Sequence, residues 1–302
     1  MVSMTTEITA AARTQSEPSR LRLPGRGGHI AALLVYGLPS LLIVLPLGSF
    51  LIYAFWSVEN GKVVKGFTLK NFREFFTGPI YLDVFLSSLL LSLAVSLIAL
   101  VLGYIVAYVV WRIEGRLKYF LLLVTILPLA MSYIVKIYAM RGILGFNGYL
   151  NWLLVSSGLI EAPSRLFIYN QKSVLITMAV IYLPYAIFPI FLSLERIPSS
   201  LLHAAADLGA RPYQVFRHVV LSLSLPGSIV GALFVMVLSL GDFMTPQMVG
   251  GNQGFTFGSV VWSQFGMAYN WPLGVALAII LLAASLAIVA LAALVAKKAR
   301  VK

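Results

Sequence analysis

The chain has 302 residues, of which 60% are hydrophobic and 11% charged, with a mean hydropathy of +0.94. Soluble domains run at roughly 45–50% apolar and about 25% charged, so a water-soluble globule, a disordered chain and a disulfide-stapled secreted scaffold are excluded; cysteine is absent altogether. The net charge of +12 comes from 22 Lys and Arg against 10 Asp and Glu, and because the basic residues sit between long apolar runs they fit lipid headgroups and the positive-inside rule rather than nucleic acid.

Residues 1–28 are polar and lack the apolar core of a signal peptide, so they are expected to form a disordered cytoplasmic tail. Six apolar runs follow, each near the roughly 20 residues that a spanning helix needs. They are Ile30–Trp56, Val84–Trp111, Tyr119–Val135 continuing through Lys136 to Met140, Ser173–Leu194, Val219–Gly241 and Pro272–Ala296. The expected fold is an all-α integral membrane protein with six transmembrane helices. With that threading, 14 Lys and Arg fall on the side of the N-terminus and 7 on the other, and the stretch Asp242–Trp271 carries none. The bias places both termini in the cytoplasm.

The spans hold few ionisable groups, each of which costs about 2.5–3.5 kcal/mol at mid-membrane on insertion scales. Lys136 lies near the outer end of the third span, where its long stem can snorkel. Asp242 ends the fifth span, and two readings stand side by side: a carboxylate solvated at the interface, or an acidic group lining a path for a cationic solute. Tyr133, Tyr138 and Thr245 join Asp242 as candidates for that path. Gly227 and Gly231 form a small-xxx-small pair that fits close helix packing. No GxxxxGK[ST], HExxH or GxSxG occurs, and the three histidines lie at or beyond span ends, so neither a catalytic nor a metal site is expected.

The segment between the fourth and fifth spans, residues 195–222, is patterned more tightly than a linker. Ser199 or Ser200 can cap a helix start, Leu201–Leu208 are good helix formers, Gly209 supplies a left-handed stop, and Pro212 fits the first turn of a second helix. Ala204–Ala206 permit close approach, and Leu201, Leu202, Leu208, Val215 and Phe216 offer apolar contact. Two readings remain: an amphipathic helix lying on lipid, or a knob that docks in a groove of a soluble partner.

This segment resembles the EAA loop of permease subunits of ABC importers, patterned E-A-A, three residues, G, nine residues, I-x-L-P. Ala204, Ala205 and Gly209 match, and Val219 and Leu221 fall at the I and L positions. His203 stands where the family has Glu, and Ser222 where it has Pro. Thr68–Phe72, Leu127-Pro128, Lys136–Ala139, Gly148–Asn151 and the run Gly241–Gly251 are similar to the spermidine/putrescine branch.

The resemblance implies a type I importer permease of the bacterial inner membrane. Its fold would be a five-helix core plus an N-terminal helix, over residues 29–297, with a basic cytoplasmic end at 298–302. It further implies a coupling loop at 195–222, in which Leu202, His203, Ala204, Ala205, Asp207, Leu208, Gly209 and Arg211 meet the ATPase. The partners implied are two ATP-binding subunits, a second permease subunit (identical or homologous), a periplasmic solute-binding protein and membrane lipid. ATP and magnesium belong to the ATPase, so this chain binds no cofactor. The solute expected from that branch is a small cation such as putrescine or spermidine. An ion-coupled secondary carrier is the alternative; it would predict inverted repeats and buried ion sites.

Overall fold

A computed structural model describes residues 33–300, and the chain divides into two compact units, residues 1–52 and 53–302. The expected tail at 1–28, with Arg13, Arg20, Arg22 and Arg26, lies outside the described residues, as do Val301 and Lys302 of the basic end. In the first unit a π-helical turn, Leu33–Gly37, leads into α1, Leu38–Tyr53. This helix is uncharged and apolar all round, the pattern of a segment solvated by hydrocarbon. The hydroxyl of Ser49 donates to the Pro46 carbonyl at 2.8 Å, so its polar group is satisfied within the helix.

The second unit opens with a hairpin of β1 (Ser57–Glu59) and β2 (Lys62–Val64), paired antiparallel with Val58 opposite Val63. Asn60 and Gly61 both take positive φ, the geometry of a two-residue I′ turn. Helix α2 (Lys70–Thr77) is fastened to the preceding chain by Asn71, whose buried amide donates to the carbonyls of Ala54 at 2.8 Å and Trp56 at 2.7 Å. Its Phe75 packs edge-on against Phe85 and Phe257.

The long helices are α3 (Tyr81–Arg112), α7 (Gln171–Glu195), α10 (Leu221–Leu240) and α12 (Trp271–Arg300). At 1.5 Å per residue, the 32 residues of α3 reach about 48 Å, beyond the ~30 Å of hydrocarbon. Between α3 and α7 lie α4 (Arg116–Ala130), α5 (Tyr133–Leu144) and the short α6 (Tyr149–Ser156). Between α7 and α10 lie α8 (Ser199–Asp207), α9 (Pro212–Val215) and a π-helical turn at Phe216–Val220. After α10 come a π-helical turn at Pro246–Gly250 and α11 (Phe257–Gly266).

Helices α3, α7 and α10 form the centre of the core, and small residues set their spacing. A Cβ at Gly227 would stand 2.4 Å from the Pro189 carbonyl oxygen, and one at Gly231 2.9 Å from that of Ala186. The Gly227–Gly231 pair is therefore a packing surface for α7. Helix α3 meets α10 through Ser96, whose hydroxyl donates to the Ala232 carbonyl at 2.7 Å, and through Tyr104, 2.8 Å from the Ser224 hydroxyl. Hydrogen bonds of this kind hold helices together where apolar burial gives no advantage over lipid.

Among the described residues five helical stretches are long and apolar enough to cross a membrane: Val35–Tyr53, Tyr81–Arg112, Gln171–Glu195, Pro212–Leu240 and Trp271–Leu294. The third apolar run departs from the continuous helix read from sequence. It breaks at Met131–Ser132, where the axes bend by 104°. Pro128 sits in the last turn of α4, and Met131 and Ser132 are extended, at ψ 146° and 136°. Counted as one bent crossing, this pair brings the total to six.

Candidate functional site

Two places concentrate polar or exposed features that the packing of spans does not require. The first is the segment between α7 and α10. Ile197 is 8% exposed and packs into the core, and its amide donates to the Leu194 carbonyl at 3.1 Å. Pro198 then takes the N-cap position of α8, so neither Ser199 nor Ser200 caps it as expected: Ser199 is already the first helical residue, and the cap makes no side-chain hydrogen bond. Proline fixes φ at −63° there, which sets the entry angle that a serine cap would otherwise hold.

The end of α8 follows the expectation. Gly209 has φ +78°; its amide donates to the Ala206 carbonyl at 2.9 Å, and the Ala210 amide to that of Ala205 at 3.0 Å. These are the paired bonds of a Schellman turn. Pro212 then starts α9 behind Arg211, whose amide donates to the Gln214 side chain at 2.7 Å.

Leu202 faces the core, and Phe216 packs edge-on to Tyr108 and Tyr104. His203, Ala204, Asp207, Gly209 and Arg211 are exposed, Ala205 is half-buried, and Leu208 is 88% exposed. Seven of the eight residues assigned to the loop from sequence thus lie on its outer surface or its flank, while Leu202 anchors it. The hairpin is held rigid on one side and offers a bare leucine on the other.

The second place lies where the break after α4 meets the end of α10. Asp242 follows the C-cap of α10 and is 6% exposed, so the reading of a solvated interfacial carboxylate is overturned. Its Oδ2 accepts from the Tyr133 hydroxyl and, at 3.1 Å, from that of Tyr182; its Oδ1 accepts from the Thr245 amide at 3.1 Å. With the Tyr133 proton committed to Asp242, the Thr245 hydroxyl 2.7 Å away donates to the phenol oxygen. The two tyrosine rings lie nearly parallel, 6.1 Å apart. An isolated carboxylate in this setting would be very costly, and the three donors are what make it tolerable.

Tyr133, Asp242 and Thr245 were singled out from sequence, and the fold joins them across two segments, α5 and the chain after α10. Tyr138 does not belong to the group; it is 56% exposed on α5. Tyr182 was missed. Its signal is a tyrosine well inside an apolar run, where a phenol without a partner is expensive and must be looked for elsewhere in the chain. Lys136 is half-buried, with its ammonium 5.7 Å from the centre of the Tyr133 ring.

The fold is that of a multi-helical membrane protein with an exposed hairpin and an internal polar cluster. Residues 99–301 match the family described as binding-protein-dependent transport system inner membrane component, and the chain belongs to that family. It is 34% identical over 212 residues to the spermidine/putrescine transport system permease protein PotB of Haemophilus influenzae, covering 70% of this chain and 73% of that one. It is 39% identical over 177 residues to the inner membrane ABC transporter permease protein YdcU of Escherichia coli, covering 55% and 56%. Among solved structures, a chain of the bacterial alginate ABC transporter in complex with its pentasaccharide-bound periplasmic protein superimposes with a TM-score of 0.69, covering 87% of this chain and 92% of that one. At 15% identity, that likeness is one of fold. The chain is thus a multi-pass inner-membrane permease of a binding-protein-dependent ABC importer, and its resemblance to the spermidine/putrescine branch is borne out.

Proposed function

We propose that this permease carries a small organic cation of the polyamine class, with six crossings (α4–α5 counted as one) and both termini in the cytoplasm. Two copies of an ATP-binding subunit hold the ATP and magnesium, and this chain has no nucleotide site of its own. A second permease subunit completes the path, and a periplasmic binding protein delivers the solute. Leu202–Arg211 seats in a cleft of the ATPase, so closure of the nucleotide-bound dimer moves the spans and exchanges an inward-open cavity for an outward-open one.

The observation that carries the coupling role is the exposed end of α8. A Schellman turn there holds Leu208 at 88% exposure, clear of the core in which Leu202 is anchored, and this supports docking in a partner's groove. The polyamine assignment rests on the PotB likeness and on Asp242, a buried carboxylate that can trade phenol donors for an ammonium group.

The test is uptake of labelled putrescine into proteoliposomes containing the full complex and its binding protein, with an uncoupler present. Uptake that needs ATP and ignores the uncoupler supports the reading; uptake that follows an ion gradient refutes it. Calorimetry of the binding protein with putrescine and spermidine tests the solute separately. No heat with either compound removes the polyamine assignment and leaves the permease role standing.

A further inference from the structure

Lys118 and Glu195 form the one ion pair found among the described residues, with Nζ 2.6 Å from Oε2. Each charge sits at the wrong end of its own helix. Lys118 lies in the first turn of α4, where the helix dipole disfavours a cation, and Glu195 is the last residue of α7, where the dipole disfavours an anion. Neither residue therefore serves its own helix.

A bias toward basic residues on this side of the membrane does not explain Lys118 either. Arg112 and Arg116 meet that bias while exposed, whereas the Lys118 side chain is only 14% exposed and its ammonium also lies 5.6 Å from the centre of the Phe191 ring on α7. Pairing across the two helices accounts for both charges.

The location gives the pair its consequence. Glu195 is the residue from which the α8 hairpin departs. Its helix, α7, carries Tyr182 farther along; the partner helix, α4, leads through the 104° break to Tyr133. One helix of the clamp, α7, thus supplies Tyr182 to Asp242 directly, and the other, α4, is joined by two residues to α5, whose first residue, Tyr133, is the second phenol there. Beside the pair lies a cavity of about 470 Å³ lined by Trp111, Glu114, Tyr119, Ser199 and Leu202 among others.

We infer that the Lys118–Glu195 pair is a positioning element that makes α4 and α7 follow the hairpin as one body, so that movement there is felt at the Tyr133–Tyr182–Asp242 cluster. The inference rests on the proposed docking of the hairpin to the ATPase. Without the pair, the hairpin would pull α7 alone, and ATP turnover would no longer be matched by movement at the cluster.

The chain has no cysteine, so one introduced thiol reports cleanly. Met244→Cys, half-buried beside the cluster, is to be labelled with a maleimide in the complete complex, with and without ATP and vanadate. The variants are Lys118→Met, Glu195→Gln and the exchange K118E/E195K. In the parent pair, nucleotide should change the labelling rate at residue 244 by about threefold or more. Each single variant should abolish that change while ATP hydrolysis persists, and the exchange should restore it. Nucleotide-dependent labelling that survives both single variants, or fails to return in the exchange, overturns the inference. Absence of nucleotide-dependent labelling in the parent pair, with ATPase bound, overturns it as well. Failure of the ATPase to co-purify with the parent chain refutes the docking reading itself, and this inference with it.

Discussion

Gly209 offers the sharpest check on the coupling role proposed for the hairpin, because its environment separates backbone cost from steric cost. Its φ is +78°, and a Cβ built there meets nothing within 4 Å. Any side chain fits the space; the penalty comes only from the left-handed backbone, about 1–2 kcal/mol for an ordinary L-residue. Asn tolerates that region because its short amide bonds locally, and a β-branched residue suffers most. The turn is held by the Gly209 and Ala210 amides on the carbonyls of Ala206 and Ala205, so a strained residue unwinds the last turn of α8. Gly209→Asn should leave ATPase association near the parent level. Gly209→Ala should weaken it by about fivefold and Gly209→Val by about thirtyfold, using 1.4 kcal/mol per decade on penalties of about 1 and 2 kcal/mol. The assay is ATPase binding to the detergent-solubilised permease, with thermal unfolding measured in parallel; the midpoint should barely move, since Gly209 and the end of α8 are exposed. Asn is larger than Ala. If the order of loss follows side-chain volume instead, with Asn worse than Ala, the backbone argument is wrong and a clash with the partner governs the site.

Four further outcomes are expected. Asp242→Asn keeps the shape of the cluster but removes its charge, so the KM for putrescine uptake should rise by about tenfold or more, given a charge interaction of about 4 kcal/mol at 4 Å before desolvation; an unchanged KM would sink the role of Asp242. Tyr133→Phe removes one donor to the carboxylate and should lower the KM for the same cation. Gly227→Ala puts a methyl 2.4 Å from the Pro189 oxygen and should cost about 1–3 kcal/mol, read as a lower unfolding midpoint in detergent; an unchanged midpoint would mean α7 and α10 are not in fixed contact there. Asn71→Leu strips the donor from the Ala54 and Trp56 carbonyls, at about 1–3 kcal/mol for each group left unmet, and should lower the same midpoint while ATPase binding holds.

Legibility followed the kind of signal involved. Apolar runs long enough to span were plain, because hydrocarbon imposes length and composition directly. The bend at Met131–Ser132 was not, since a hydropathy window averages over one or two extended residues; Pro128 was the only hint. In the hairpin, Gly209 and Pro212 were readable because each restricts the backbone by itself. The start of α8 was misread because burial of Ile197 and the fixed φ of Pro198 decide it, and a nearby serine does not. Asn60-Gly61 carries the short-range mark of a hairpin, yet it lay between the first two spans, where period-two alternation is too brief to stand out. At the cluster, Asp242 and Thr245 were marked by residue type just beyond the fifth span, and Tyr133 near the outer end of the third. Tyr182, 60 residues from its aspartate, lies inside an apolar run with nothing nearby in sequence to name its partner, and only the packing of α7 against α5 and the chain after α10 brings it in.

The opposite signs expected for Asp242→Asn and Tyr133→Phe follow from treating the cluster as a balance between two partners for one carboxylate. In the structure the charge is held by phenols and an amide from this chain, and a cation can engage it only by displacing a donor. The hydrogen bond to a charged acceptor contributes about 1.5–3 kcal/mol, and on the proposed reading that amount works against solute binding while the cluster is intact. Removing Tyr133's hydroxyl lowers this cost and exposes the charge more readily; removing the charge leaves nothing for the cation to find. The bend in the third apolar run and the end of α10 serve the same end on this reading. The bend before Tyr133 and the turn at Gly241–Asp242 take these residues off continuous helices, so donor and acceptor can part by movement of short segments rather than by unwinding a membrane helix. On the proposed reading, a carboxylate satisfied by this chain's own donors is stable when empty and available when the segments separate, so a shift between two arrangements of those segments would set when the solute can bind.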